Sequence, residues 1–140
     1  MRTYQIDEAS FQLPEGWNDQ SVNVFSPPGD LPGDFSLVIS RDRLADGQEF
    51  GSYVESQLGE LSNILARYRL IRRSDGTVGG LRAINAEFTW HSEEQTLAQR
   101  QTYVAAGPQV LIMTATAVDK ITRDYHLLID RILSTFKMQS

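Results

Sequence analysis

Two short segments in the first third of the chain alternate without offering a properly wet face. They read Gln20-Ser-Val-Asn-Val-Phe-Ser26 and Phe35-Ser-Leu-Val-Ile-Ser-Arg41. Strand side chains point alternately to opposite faces. Phe35, Leu37 and Ile39 therefore form a core face, while Ser36, Val38 and Ser40 point the other way. Val22 and Val24 likewise share one face. A solvent face normally carries Lys, Glu, Thr or Arg, whereas this one sets small hydroxyls between valines. Such a surface is smooth, partly apolar and able to donate hydrogen bonds, which suits a groove that holds something. A sheet buried on both faces by helices carries the same pattern, and both readings stay open at this level.

The rest of the chain divides by the same logic. Met1 to Asp7 and Ala9 to Leu13 predict two short strands, Pro14 to Trp17 a turn, and Pro27 to Gly33 a loop. Asp46 and Glu49 have the spacing of a capping box. The helix after them runs to about Arg67, with Phe50, Tyr53, Val54, Leu58, Leu61, Ile64 and Leu65 as its buried stripe. Tyr68 to Ser74 predicts a strand, and Asp75-Gly76 and Gly79-Gly80 predict turns. Leu81 to His91 alternates, with Ala83, Asn85 and Glu87 opposite Ile84, Ala86 and Phe88. Leu97 to Ala106 and Gln109 to Ala117 complete the strands. A helix from about Asp119 to Lys137 carries Ile121, Tyr125, Leu128, Ile132 and Phe136 as its apolar stripe. No repeat or linker divides the chain, so residues 1–140 read as one domain. The fold class is α+β, a mostly antiparallel sheet flanked by two helices.

Composition narrows the function classes. The 140 residues include 41% hydrophobic and 22% charged ones, ordinary for a globular domain. The net charge of −5 argues against nucleic acid and against an anionic membrane surface as partners. Without cysteine there is no disulfide framework and no thiolate chemistry. The opening Met-Arg-Thr-Tyr-Gln-Ile-Asp lacks the apolar core of a secretory signal. No run approaches the roughly 18 apolar residues of a membrane span. The expectation is a cytoplasmic protein that is not integral to a membrane.

Catalytic signals are sparse. His91 and His126 lack a nearby Asp/Glu ligand cluster and read as surface histidines, so no metal is expected. No Gly-x-Ser-x-Gly elbow occurs. The glycines at 76, 79 and 80 lack the Lys-Ser/Thr of a phosphate loop. The expectation is a protein that is not an enzyme and needs no cofactor. Binding has more support. Gln57 lies among Val54, Leu58 and Leu61 at the edge of the helical stripe. Gln101 shares a strand face with Gln99 and Tyr103. A buried glutamine without a partner costs about 1–3 kcal/mol, so these amides satisfy one another or await a ligand. Ser and Gln hydrogen-bond across close helix contacts in membranes, so a face of Val, Ser and Gln can imitate such a packing surface. Ordinary sheet–helix hydrogen bonds remain the alternative.

Several segments together carry a resemblance. They are Thr3-Tyr4, Glu8-Ala9, Leu13-Pro14-x-x-Trp17-x-Asp19-Gln20-Ser21 and Asn23-x-Phe25. Further on come Ser36-x-Val38-Ile39-Ser40-Arg41-Asp42, Phe50-x-x-Tyr53-Val54-x-x-Gln57-Leu58 and Arg100-Gln101. Over nearly its whole length the chain resembles the Eag chaperones, the effector-associated proteins of bacterial type VI secretion. That family is similar to the wider DcrB, PsbP and Mog1-like domains. The resemblance implies a cytoplasmic homodimer that binds the N-terminal transmembrane region of a PAAR-domain effector. It would shield those helices from water and help deliver the effector to the secretion spike, with no cofactor. Carried over position by position, the client-binding residues fall on Val22, Val24, Ser36, Val38, Ser40, Gln57, Leu61, Leu65 and Gln101. Val22 and Val24 stand where a bulkier isoleucine would also fit, which bears on groove width. A small lipid- or ligand-binding module of the same fold is the alternative, and it predicts a closed pocket inside the monomer.

Overall fold

Alternating strands that cannot bury both faces alone recruit helices, and here each face of one sheet takes a helix. The computed structural model describes residues 2–5, 10–13, 22–25 and 35–137. Strands β1 (Arg2–Gln5) and β2 (Ser10–Leu13) pair as a separate antiparallel ribbon. The main sheet comprises β3 (Asn23–Phe25), β4 (Ser36–Arg43), β5 (Arg69–Val78), β6 (Leu81–Ser92), β7 (Gln95–Ala106) and β8 (Gln109–Val118). Its order is β3-β4-β8-β7-β6-β5, antiparallel throughout. Helix α1 (Phe50–Ile64) follows β4, and helix α2 (Arg123–Ser134) ends the described chain. The expected turn at 14–17 and loop at 27–33 lie outside the described residues.

The two cores follow from the strand alternation. On one face, Phe50, Tyr53, Val54 and Leu58 of α1 pack with Ile84, Ala86, Tyr103 and Val110. On the other, Ile121 and Ile129 pack with Phe35, Ala98, Ala115 and Ala117, and Tyr125 and Leu133 join them. Phe35 and Tyr125 stack with ring centroids 4.4 Å apart. Small residues on β7 and β8 let α2 approach the sheet closely. The sheet thus has a helix on each face, in agreement with the α+β expectation.

Four local expectations change. Helix α1 begins at Phe50 with Glu49 as its N-cap, the Glu49 carboxylate accepting from the Ser52 N–H. Asp46 lies outside the helix because Gly47 adopts a φ of +78°, which no right-handed turn contains. The same Glu49 pairs with Arg82 at 2.9 Å, and its hydrogen bonds to Gly51, Arg82 and Ser52 lower its pKa from the ordinary value. Asp75-Gly76 does not turn: β5 runs on through it, Gly76 opposite Ala83. The chain reverses only at Gly79 and Gly80, whose φ values of 58° and 80° suit a tight hairpin matching the strand twist. Ile64 leaves the buried stripe and is 74% exposed. In α2 the core position falls to Ile129, while Leu128 is exposed.

Candidate functional site

Antiparallel register places directly opposed residues on the same face. Val24 of β3 opposes Val38 of β4, Val38 opposes Thr114 of β8, and Thr114 opposes Gln101 of β7. The rung beside it runs Ser36, Thr116, Gln99, and the rung on its other side runs Ser40, Ile112, Tyr103. This is the face on which α1 lies. The helix core, however, centres on β6 and β7, through Ile84, Ala86 and Tyr103. Toward β4 and β3 the face is only half-covered: Ser36, Val38, Ser40, Thr114, Thr116, Gln99 and Gln101 are all intermediate in burial. Val22, just before β3, and Val24 are 57% and 65% exposed.

Helix α1 walls this strip. The Tyr53 hydroxyl donates to Asp42 of β4 at 2.6 Å, while Glu55 pairs with Arg73 of β5. These contacts mark the two flanks of the helix. At about 100° per residue, Gln57 lies about 40° from Tyr53, on the β4 flank, and Leu61 lies near the base. Both are half-buried, and Leu61 packs on the core. Leu65 is the C-cap, its backbone already extended, and it is half-buried at the end of the helix. Ile64 lies two turns beyond Gln57 on the β4 flank. It is a candidate the stripe pattern missed, because the periodicity that fits a core position equally fits the lip of an open strip.

The floor carries a fixed polar ladder. The Tyr103 hydroxyl donates to Gln101 Oε1, and Gln101 Nε2 donates to Thr114 Oγ1 at 3.3 Å. In parallel, Trp90 Nε1 donates to Gln99 Oε1 at 2.8 Å and Gln99 Nε2 to Thr116 Oγ1 at 3.0 Å. Burial raises the pKa of the Tyr103 phenol above its ordinary value, which keeps it a donor and sets which end of the Gln101 amide faces it. Each ladder amide donates one N–H within the ladder, and its second N–H has no partner among the described residues. Ser36, Ser40 and Gln57 make no side-chain hydrogen bond to another described residue. The strip therefore joins apolar Val22, Val24 and Val38 to amides and hydroxyls with spare hydrogen-bonding capacity.

The described side chains of the strip are valines, hydroxyls and amides, with Ile112 and Tyr103 on the rung toward Ser40. Among the described residues no group of three or more His, Cys, Asp or Glu is placed to hold a metal ion. His126 is not a simple surface histidine: it is only 26% exposed and stands 3.4 Å from Glu87. That carboxylate comes from β6 and was remote in sequence. No described helix is long and apolar enough to cross a membrane.

Comparison with known proteins adds to this geometry. A family model described as DcrB matches residues 8–135. Over 117 residues the chain is 35% identical to a Pseudomonas aeruginosa PAO1 protein named Effector EagT6, a match covering 83% of this chain and 81% of that one. Among solved structures, the chain is similar to PA94, a P. aeruginosa protein of unknown function. The TM-score is 0.81 at 30% identity, covering 100% of this chain and 98% of PA94. LpqN, involved in cell envelope biogenesis in Mycobacterium tuberculosis, shares the fold with a TM-score of 0.52 at 17% identity, covering 87% of this chain and 85% of LpqN.

Proposed function

The chain belongs to the DcrB family, and from that premise we propose that it is a type VI secretion chaperone. It binds the N-terminal transmembrane region of a PAAR-domain effector in the cytoplasm, shields those helices from water and passes the effector to the secretion spike. The likeness to Effector EagT6 supports the effector-associated role. The observation that carries the finer reading is the rung Val24, Val38, Thr114, Gln101, half-open beside α1 and edged by Gln57.

The physics of capture follows from that strip. A membrane helix shows about 20 apolar residues to water. Covering part of it yields about 25 cal/mol per Å² of apolar area, less the cost of association. Val22, Val24 and Val38 supply the apolar contact. Small side chains let a client backbone come close, as between helices in a membrane. Gln57, Ser40 and the free N–H of Gln101 then donate to client carbonyls or small hydroxyls.

Size argues for two copies. Four strands at about 4.8 Å spacing make a strip roughly 15 Å across, whereas a helix with side chains is about 10–12 Å thick and about 30 Å long for 20 residues. One strip covers one side of part of one helix. A homodimer with two strips facing a common space would cover a helical hairpin. The reading is of a binding protein and not of an enzyme. The rival reading, a lipid held inside the monomer, is disfavoured at one specific place. The apolar cavity beneath α2, lined by Phe35, Leu37, Met113 and Ile129 among others, measures about 10 Å³, room for at most one water.

The test is co-expression with the N-terminal region of a PAAR effector from the neighbouring gene, followed by purification without detergent. Wild type is expected to keep the client soluble, and Gln57→Ala and Val38→Asp to lose it while remaining folded. Retention of wild-type capture by both variants would overturn the assignment of the strip.

A further inference from the structure

The opposite face of the sheet carries a second, unrelated feature. Helix α2 packs over the β4, β8 and β7 side through Phe35, Ala98, Ala115 and Ala117, and leaves a cleft over β5 and β6. The cleft has a volume of about 230 Å³ and is lined by Arg72, Ser74, Asn85, Glu87, Arg100, His126 and Asp130, with Ala86 at its floor. That is many times the space one water needs. It opens into a wider hollow at the Gly79–Gly80 turn, the two sharing Asn85, Arg100 and Asp130.

Most polar groups here are committed. Arg100 Nη2 donates to Asp130 Oδ1 at 2.7 Å, and Arg100 Nη1 lies 3.2 Å from His126 Nδ1. A guanidinium only donates, so Nδ1 accepts and the ring proton sits on Nε2, facing Glu87. Thr102 Oγ1 donates to Asn85 Oδ1 at 2.7 Å. Glu87 is the exception. Its side chain is 9% exposed, and Oε1 is fully buried with no hydrogen bond. His126 Nε2 at 3.4 Å and Arg72 Nε at 3.5 Å are within ion-pair range without bonding geometry. Buried carboxylates are ordinarily hydrogen-bonded, so an unmet acceptor just beneath the wall of a roomy polar cleft, beside an exposed and movable Arg72, points to an absent donor.

We propose that this cleft binds a small zwitterion carrying both an ammonium group and a carboxylate, of the free α-amino acid class. The ammonium takes the place beside Glu87 Oε1 that the Arg72 guanidinium now holds at 3.5 Å, and donates to that oxygen once the exposed arginine swings outward. The carboxylate faces Arg72, which is 71% exposed in its side chain and free to reorient. With His126 in its neutral tautomer, Arg72 and Arg100 balance Glu87 and Asp130. An ion of either sign would bring uncompensated charge into this cleft, whereas a zwitterion brings none. The site lies across the sheet from the proposed client strip and does not depend on that reading.

The experiment is titration of the full chain with glycine, N-acetylglycine and ethylamine separately, at millimolar concentration. The readouts are the ring resonances of His126, one of only two histidines in the chain, and calorimetry. Glycine is expected to give saturable shifts at His126, and neither single-charge fragment to match it. Glu87→Gln, which keeps shape and removes charge, is expected to weaken glycine binding about ten-fold or more, the scale of one charge-assisted hydrogen bond. Arg72→Gln, at a side chain 71% exposed, is expected to weaken it as well. Several results would overturn the proposal. They are no saturable shift with glycine, equal binding of ethylamine (a plain cation site), equal binding of N-acetylglycine (a plain anion site), or unchanged affinity in folded Arg72→Gln.

Discussion

Gln101→Leu, set beside Tyr103→Phe, measures what the Gln101 amide does for the fold. Tyr103 is 1% exposed, and Gln101 Oε1 accepts from its hydroxyl. Leucine fills nearly the same space but strands that hydroxyl in a dry core. An orphaned buried donor costs about 1–3 kcal/mol. Thr114, the other partner at 3.3 Å, is half-buried and can turn to water, so its loss adds little. The expected destabilisation is about 2 kcal/mol, or roughly 6–8 °C in melting temperature for a chain of this size. Tyr103→Phe alone is expected to cost about 0.5–1 kcal/mol, because the half-exposed amide it abandons can be solvated. The double variant removes both ends of the bond and is expected to recover about 1 kcal/mol relative to Gln101→Leu, despite carrying one more substitution. Urea unfolding of the four proteins measures the cycle. A double variant as unstable as the sum of the singles would refute the reasoning. For assays of the proposed client contact, Gln57→Ala is therefore the cleaner variant, with little effect expected on the fold, whereas a Gln101 variant would mix loss of stability with any loss of capture.

Three further outcomes follow from the same structure. Val24→Asp is expected to abolish detergent-free capture of an effector's transmembrane region while changing unfolding free energy by less than about 0.5 kcal/mol, since Val24 is 65% exposed; an equal loss of stability in urea would count against it. Thr122 caps α2 by accepting from the Tyr125 N–H at 3.2 Å, so Thr122→Ala is expected to lower stability by about 1 kcal/mol, read from the denaturation midpoint. Burial and the bond to Asp42 raise the pKa of Tyr53, and burial raises that of Tyr103. A raised phenol pKa leaves stability intact below the unfolded value of about 10 and erodes it as pH rises beyond, so thermal scans should show melting fall above about pH 10, less steeply in Tyr53→Phe.

Much of the fold was legible because alternation is a local property. Ser36, Val38 and Ser40 lie opposite in direction to Phe35, Leu37 and Ile39, and Gln99, Gln101 and Tyr103 share a face, as the period of two requires. What alternation omits is strand order. Thr114 and Thr116 become the hydrogen-bond partners of Gln101 and Gln99 only because β8 lies between β4 and β7. The same applies to His126, whose neighbours Glu87 and Arg100 come from two other strands. Helical periodicity placed Val54 and Leu58 correctly, but it could not tell Ile64 from a core residue. That distinction depends on where the sheet beneath the helix stops being covered. Asp75-Gly76 failed as a turn because the Gly79-Gly80 pair reverses the chain further on, and the ladder runs through to it.

The pairing of β4 with β8 sets the order in which the molecule can assemble. β5, β6, β7 and β8 are successive hairpin neighbours, each closing over a short loop, whereas Ser36 must find Thr116 across most of the chain. Closing so long a loop carries the larger entropic penalty and slows the step. During synthesis β4 leaves the ribosome well before its mate exists, so the proposed client strip is completed only when the C-terminal third has emerged. On the proposed function, the chain cannot grasp a client while it is still being made, and a truncated copy lacking β8 is expected to capture none.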